Sequence, residues 1–467
     1  MRGIVLAGTA SGVGKTVATL VVLRALQHAG YDPQPAKAGP DFIDPSHHAV
    51  ALADDRPSRT LDPWLSGAEG CRRNYWRGSG DVCVVEGMMG LYDGTNSTAH
   101  VAETLGLPVV LVVDAAAGME SVAAQALGFR EYAGHAGRDV DVVGVIAQRA
   151  HGGRHEEGIR GALPDCLAYL GRVPPLSGLE IPERHLGLHL GEEAPVDVEA
   201  LEEAAEHVAV ERLVELAREP PPPELEPGAG DETGTETGTE TGTETGTETG
   251  TEPASGTEPE PPRGATDVTV AVADDAAFCF VYPATRERLR ERATVETFSP
   301  VAGDPVPACD GVYLPGGYPE LYGAELAAGG TLAEIGDLAA DGLAVLGECG
   351  GMMALCDALT DVDGETHDMA GVLPATVVMH ERYQALDHVS LEARQGSLTA
   401  ARGETLRGHE FHYSSADVAA DATFAFDVTR GDGIADGKDG LCEYRSLGTY
   451  SHVHADSGAF DRFVESL

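Results

Sequence analysis

The sequence predicts an α/β protein with two domains, the first a parallel-sheet domain of the P-loop type. Three observations predict it. Uninterrupted apolar runs alternate with helical patterns on both sides of one acidic, proline-bounded segment. A glycine-rich loop ending in Lys-Thr joins the first run to the first helical stretch. A cysteine followed by two glycines stands between a strand-like run and a helical stretch in the second half.

A chain of 467 residues has room for two or three domains, each with its own core. In the first part the runs 4–7, 82–85, 109–113 and 142–146 are apolar without alternation, as strands buried on both faces of a parallel sheet are. Helical patterns cover 15–29 and 198–218. Residues 219–264 hold prolines and repeated Thr-Gly-Thr-Glu units with almost no apolar side chain, so burial cannot offset the entropy of ordering them. The expected division is therefore 1–218, a disordered acidic linker 219–264, and 265–467. Beyond the linker, strands are expected at 268–272, 311–314 and 344–346, helices near 285–292 and 332–341, and a strand-rich end from about 370 to 454.

The formal charge is −45, and the lysines are Lys15, Lys37 and Lys438. So acidic a surface repels nucleic acid and anionic membranes, and suits high intracellular salt. No apolar run approaches the ~20 residues that span a bilayer. No signal-peptide pattern precedes the first strand, so a cytoplasmic location is expected. The eight cysteines include no CxxC pair, which argues against a zinc ribbon or a dithiol redox site.

Gly8, Thr9, Ala10, Ser11, Gly12, Val13, Gly14, Lys15 and Thr16 follow a strand and open a helix, the setting a phosphate-binding loop requires. Its glycines let backbone N–H groups turn toward phosphate oxygens, Lys15 reaches the outer phosphates, and the Thr16 hydroxyl suits magnesium. The loop is one residue longer than the common GxxxxGK[ST] form. A glycine-rich turn with an incidental lysine is the alternative, and the flanking strand and helix argue against it. Magnesium takes hard oxygen ligands. Glu86, at the end of the 82–85 run, and Asp41, in Lys37–Pro45, are the candidates, with Asp114 a weaker one.

Cys349 stands in Gly-Glu-Cys-Gly-Gly after a strand-like run. Small neighbours permit the strained turn that presents a nucleophile and are expected to leave the sulfur exposed, and the N-terminus of the following helix is expected to lower the thiol pKa. Cys356 is expected inside that helix as a core residue. His452 is the candidate base, and strand alternation puts His454 on the same face. The pair would suit a metal, but no clear third ligand accompanies it. N–H groups of Gly317 and Gly350 are candidates for an oxyanion hole.

Several segments in this order resemble the cobyrinic acid a,c-diamide synthase family. They are Gly8–Thr16, Lys37–Pro45, Val84–Gly94, Ile181–Leu188, Leu314–Leu321, Glu348–Gly351 and Arg407–Ser414. The resemblance covers nearly the whole chain except the linker. It implies a dethiobiotin-synthetase-like ATP domain followed by a class I glutamine amidotransferase α/β domain. ATP and glutamine would be substrates, Mg2+ the cofactor, and a tetrapyrrole precursor of cobalamin the acceptor. The resemblance assigns Cys349 the attack on glutamine and His452 its activation. Ammonia would then pass, shielded from water, to an acyl phosphate. Asp44, Tyr92 and Asp93 flank the phosphate loop, and Arg407, His409 and His412 are candidates to reach the acceptor from the second domain.

Three departures stand out: Gln148-Arg149 in place of Asn-Arg, Thr449-Tyr450-Ser451 before the histidine, and the long acidic linker; His454, where the amidotransferase class commonly has glutamate, suits the cobalamin branch of that class. A nickel-sirohydrochlorin a,c-diamide synthase, a cobyric acid synthase, and a nucleotide-binding regulator with an inactive glutaminase domain are the rival readings. The sequence is compatible with a homodimer and fixes no oligomeric state. The acidic surface leads to a first prediction: activity rises with added KCl. Activity that is highest in dilute buffer and falls steadily as KCl is added would contradict it.

Overall fold

The computed structural model describes residues 1–52, 56–184, 187–224 and 268–467. Most of the acidic linker, and part of the Ile181–Leu188 segment, lie outside the described residues.

The first sheet has seven parallel strands: β1 (Arg2–Gly8), β2 (Pro33–Ala38), β3 (Arg59–Leu61), β4 (Val82–Gly90), β5 (Val109–Asp114), β6 (Val142–Gln148) and β7 (Ala168–Val173). Their order is β3-β2-β4-β1-β5-β6-β7. The four apolar runs became the four adjacent strands β4, β1, β5 and β6, which lose water on both faces. The pattern missed β2 because it begins Pro-Gln-Pro. Those prolines are tolerated because β3 pairs only with Ala36–Ala38, leaving Pro33 and Pro35 paired on one side.

Helix α1 (Lys15–His28) buries Leu20, Val21, Val22, Leu23 and Leu26, each contributing about 1.5–3 kcal/mol of transfer free energy. It is apolar on more than one face because it lies between the sheet, α2 (Ile43–Leu52) and the helix Val198–Ala205. The single helix expected over 198–218 is in fact two, Val198–Ala205 and Val210–Leu216. The break is tertiary in origin. Val208 bridges Gly171 on edge strand β7, and the Ala209 N–H donates to the Leu170 carbonyl (3.0 Å). Arg218 then pairs with Gly3, beside β1.

The second part is a ten-stranded mixed sheet. Its order is Thr294–Phe298, Thr269–Ala273, Gly311–Leu314, Ala344–Glu348, Ser446–Thr449, Lys438–Glu443, Thr423–Arg430, Ala385–Ala393, Thr405–His412 and His452–Val453. The first five strands are parallel and the rest pair antiparallel. Thr294–Phe298, an edge strand with exposed polar residues, was not evident from apolar patterning. Helices Pro283–Arg292 and Thr331–Ala340 fall where expected. A four-stranded sheet adds Thr366–Asp368, Cys356–Thr360, Leu373–Met379 and Ser414–Val418. Cys356 therefore opens a strand rather than lying in a helix, although it is fully buried as expected.

The two parts share a polar interface. Arg59 pairs with Glu287 (2.5 Å), His388 with Asp62 (2.8 Å), and Asn74 donates to Asp456 (2.8 Å). Trp64 of the first part is flanked by Arg407 (4.9 Å) and Arg430 (4.5 Å) of the second. Among the described residues, no helix is long and apolar enough to cross a membrane.

Gly171 tests the helix break. It has φ +122°, and a Cβ there would lie 2.2 Å from the His207 carbonyl oxygen. Gly171→Ala is expected to lower unfolding free energy by about 2–4 kcal/mol in a urea titration at high KCl. An unchanged midpoint would show that this backbone contact does not hold the edge.

Candidate functional site

A cavity of about 890 Å3 lies between the two parts and is lined from both. The first part contributes Gly12, Lys15, Thr16, Asp41, Asp44 and Glu86. The second contributes Gly317, Glu320, Cys349, His409, His412 and His452. The phosphate loop and the thiol thus line one cavity.

The loop needs its glycines. Gly12 and Gly14 have φ +72° and +93°, and a Cβ on Gly14 would meet the Gln148 amide nitrogen at 2.6 Å. Lys15 opens α1 nearly buried. Burial, and then repulsion from Lys37, lower its pKa, while Glu86, Asp44 and Asp93 pull the other way. The Thr16 hydroxyl donates to Glu86 Oε1 (2.8 Å) and Asp44 Oδ1 (3.3 Å).

Lys37, at the end of β2, lies between these acids. Its ammonium pairs with Asp44, with Glu86 (3.2 Å) and with Asp41 (3.5 Å). Burial alone would lower the Lys37 pKa; the three carboxylates outweigh it and raise it well above the ordinary value. Burial would raise the Asp44 pKa, but Lys37 holds it far below the usual carboxylate range. Asp41 is pushed up to about 6 by burial and by the Asp44 charge, and its carboxylate accepts from the Ile43 and Asp44 N–H groups at the start of α2. Glu86 is fully buried, and its second oxygen meets His48 Nε2 (2.7 Å), whose Nδ1 meets the Ser58 hydroxyl (2.9 Å).

Sequence reasoning missed Lys37, His48 and Phe42. Lysine is scarce in this chain, and that scarcity was a signal available for Lys37. Asp44, expected beside the acceptor, belongs to the acid cluster. Asp114 points elsewhere and pairs with Arg149 (2.7 Å).

Cys349 follows the strand Ala344–Glu348 and precedes a six-residue helix, Gly350–Leu355. Its φ of +46° is a strained conformation for a residue with a side chain. The glycines allow the tight turn: a Cβ on Gly351 would lie 1.9 Å from the Leu314 carbonyl oxygen, and one on Gly350 would lie 2.9 Å from the Gly317 nitrogen. Two expectations are corrected here. The sulfur is buried rather than exposed, with Cys349 5% accessible, and the thiol pKa is raised to about 12, not lowered. Burial and the Glu320 charge outweigh the Gly350 N–H, which is oriented to favour the thiolate.

His452 is also buried and neutral, its pKa lowered to about 3 by burial and then by His412. No hydrogen bond joins its ring to the Cys349 thiol, and its Nδ1 has no partner. His454 does not orient it. That side chain has left the short strand His452–Val453 and accepts from the Asp456 N–H (3.2 Å). Backbone anchors and ring stacking hold His452 instead. Asp439 accepts from the Ser451 N–H and hydroxyl (3.2 and 2.6 Å), and Glu348 from the Val453 N–H (3.0 Å). The His409 ring stacks on that of His452 at 4.9 Å.

His409 and His412 line the cavity as expected. Tyr92 and Arg407 are not among its lining residues. The Tyr92 hydroxyl donates to the Phe129 carbonyl (2.7 Å), and Arg407 lies over Trp64. Asp93 is exposed at the loop's margin and accepts from the Gly90 N–H (3.1 Å).

A nucleotide loop and a strained thiol opening into one cavity define a glutamine-dependent amide-forming ligase. Residues 4–188 match a CobQ/CobB/MinD/ParA nucleotide binding domain, and residues 269–460 a CobB/CobQ-like glutamine amidotransferase domain. Cobyrinate a,c-diamide synthase of Halobacterium salinarum is 63% identical over 100% of this chain and 98% of its own length. That of Haloarcula marismortui is 61% identical over 99% of this chain and 98% of its own. Hydrogenobyrinate a,c-diamide synthase of Brucella anthropi is 36% identical over 97% of this chain and 98% of its own. The chain belongs to the cobyrinate a,c-diamide synthase family.

The raised thiol pKa leads to a measurable expectation. Without nucleotide, the rate of Cys349 alkylation, followed by peptide mass spectrometry, should rise about tenfold per pH unit from pH 6 to 9. A plateau above pH 7 would reveal a preformed thiolate.

Proposed function

We propose that the protein converts the a and c carboxylates of cobyrinic acid to amides, with nitrogen from glutamine and energy from ATP. The cavity that Lys15 and Cys349 share carries this reading, because ammonia made at the thiol would then form where the acceptor is activated. Cys349 Sγ attacks the glutamine side-chain carbonyl, and the His452 imidazole takes the thiol proton. Gly317 and Gly350 N–H groups hold the oxyanion, and their close approach supports that pairing. The proton passes to the leaving nitrogen, ammonia departs, and water releases glutamate from the thioester.

The acceptor carboxylate attacks the γ-phosphate of ATP, ADP leaves, and ammonia displaces phosphate from the acyl phosphate. Gly8, Thr9, Gly12, Val13 and Gly14 cradle the phosphates, and Lys15 offsets their growing charge. The oxygens of Thr16, Glu86 and Asp41 are hard donors grouped beside the loop, so they fit Mg2+. When bound there, the ion would neutralise phosphate charge. His409 and His412 are the second domain's candidates for the acceptor; the buried His412 Nε2 has no partner. Both centres come from one chain, so the reading requires no second copy. A cytoplasmic location follows from its need for ATP and glutamine.

The hydrogenobyrinate enzyme among the relatives makes a metal-free ring the natural second acceptor to assay. With cobyrinic acid, glutamine and MgATP at high KCl, mass spectrometry is expected to show two successive OH-to-NH2 exchanges. Cys349→Ala should lower glutamine-dependent amidation by more than about 10^3-fold and leave ammonia-dependent amidation in place, whereas Lys15→Ala should lose both. ATP consumption with acceptor but no nitrogen drawn from glutamine would overturn the proposal.

A further inference from the structure

The cavity wall contains one side chain of the first part set among rings of the second. Phe42 stands between Asp41 and Asp44, one residue from the first acid and two from the other. Its ring stacks on Phe280 (5.0 Å, 5°) and Tyr282 (4.5 Å, 30°), and lies tilted against His409 (5.7 Å) and His452 (5.2 Å, 49°). Tyr282 is tied in turn to His409 by a hydroxyl–Nδ1 hydrogen bond of 2.9 Å. The candidate base is therefore packed against a residue whose backbone neighbours belong to the phosphate site.

Two further observations give this contact a direction. In this state thiol and imidazole are both neutral, and no hydrogen bond joins them. The base is thus not yet engaged with the thiol. Meanwhile Lys37 holds Asp41, Asp44 and Glu86 together. A triphosphate with its cation would compete for both the ammonium and the carboxylates, and so would change the contacts of the 41–44 segment. Such differential contact is what a ligand needs to shift an equilibrium. Arg59–Glu287, His388–Asp62 and the arginines flanking Trp64 join the two parts elsewhere, so Phe42 is a contact between them that adjoins the acid cluster.

We propose that Phe42 is the positioning residue that makes glutamine hydrolysis depend on occupancy of the nucleotide site, by carrying a shift of the Asp41–Asp44 segment to the His452 ring. This rests on the proposed function. It adds that the base is set from the first domain and that the thiol stays idle until ATP is bound.

The test compares the full-length parent with Phe42→Ala, Phe42→Leu and Phe42→Tyr at high KCl. Glutamate release is measured with glutamine alone and with MgATP plus cobyrinic acid, and amidation is measured with ammonium chloride as nitrogen source. The parent is expected to release glutamate faster when ATP and acceptor are present. Phe42→Ala should lower that stimulated rate about tenfold and ammonia-dependent amidation by less than about threefold, with Phe42→Tyr close to the parent and Phe42→Leu between.

Stimulation in Phe42→Ala equal to the parent's would overturn the proposal. So would equal loss of both activities across the series, which would mark a purely structural role. A parent that hydrolyses glutamine at one rate whether or not ATP is bound would overturn the coupling while leaving the functional reading intact. A parent that releases no glutamate under any condition would overturn both.

Discussion

The buried Lys37 ammonium is the interaction on which the site depends. It reaches carboxylates from a turn (Asp41), a helix (Asp44) and a strand (Glu86), and so ties β2, β4 and α2 together beside the phosphate loop. Removing one partner from a buried charge set typically costs about 3–5 kcal/mol, because the remaining charge has no water to replace it. The arrangement also keeps acidic side chains grouped beside the glycine loop. Without the lysine, repulsion would drive the three carboxylates apart.

The second centre is built by backbone constraint rather than by charge. Cys349 holds a positive φ because the glycines on its C-terminal side let the Leu314–Gly317 backbone approach closely. His452 is fixed through its chain neighbours, Ser451 on Asp439 and Val453 on Glu348, and its ring packs against the His409 and Phe42 rings and over Gly316. A base held by its backbone anchors and by faces of other rings can rotate or tilt at lower cost than one locked by a carboxylate. The candidate base is so placed without the acid commonly found two residues later.

The two centres differ in what their surroundings do to protons. Around Lys37, opposite charges win over burial at Lys37 and Asp44, while burial and the Asp44 charge push Asp41 up. Around Cys349 and His452, burial wins, and both groups stay neutral. The helix after the cysteine is too short, and the thiol too enclosed beside Glu320, for the expected thiolate. The same cavity therefore holds a charged end and a neutral end, and Phe42 lies where they meet.

Much of this was legible along the chain because it is local. Strand, glycine loop, lysine and helix are consecutive residues, as are strand, cysteine and glycines, and the apolar runs that mark parallel strands carry their burial in their own composition. The sequence by itself thus determined the two domain types, the glycine loop ahead of Lys15 and the candidate nucleophile. Tertiary structure alone decided how they are used. Lys37 meets Glu86 from 49 positions away, and His452 meets Phe42 across the domain boundary. The thiol's protonation follows from enclosure by distant segments. Periodicity records which face of an element is dry; it does not record which distant charge or ring will fill that face, because that depends on how separately folded sheets dock.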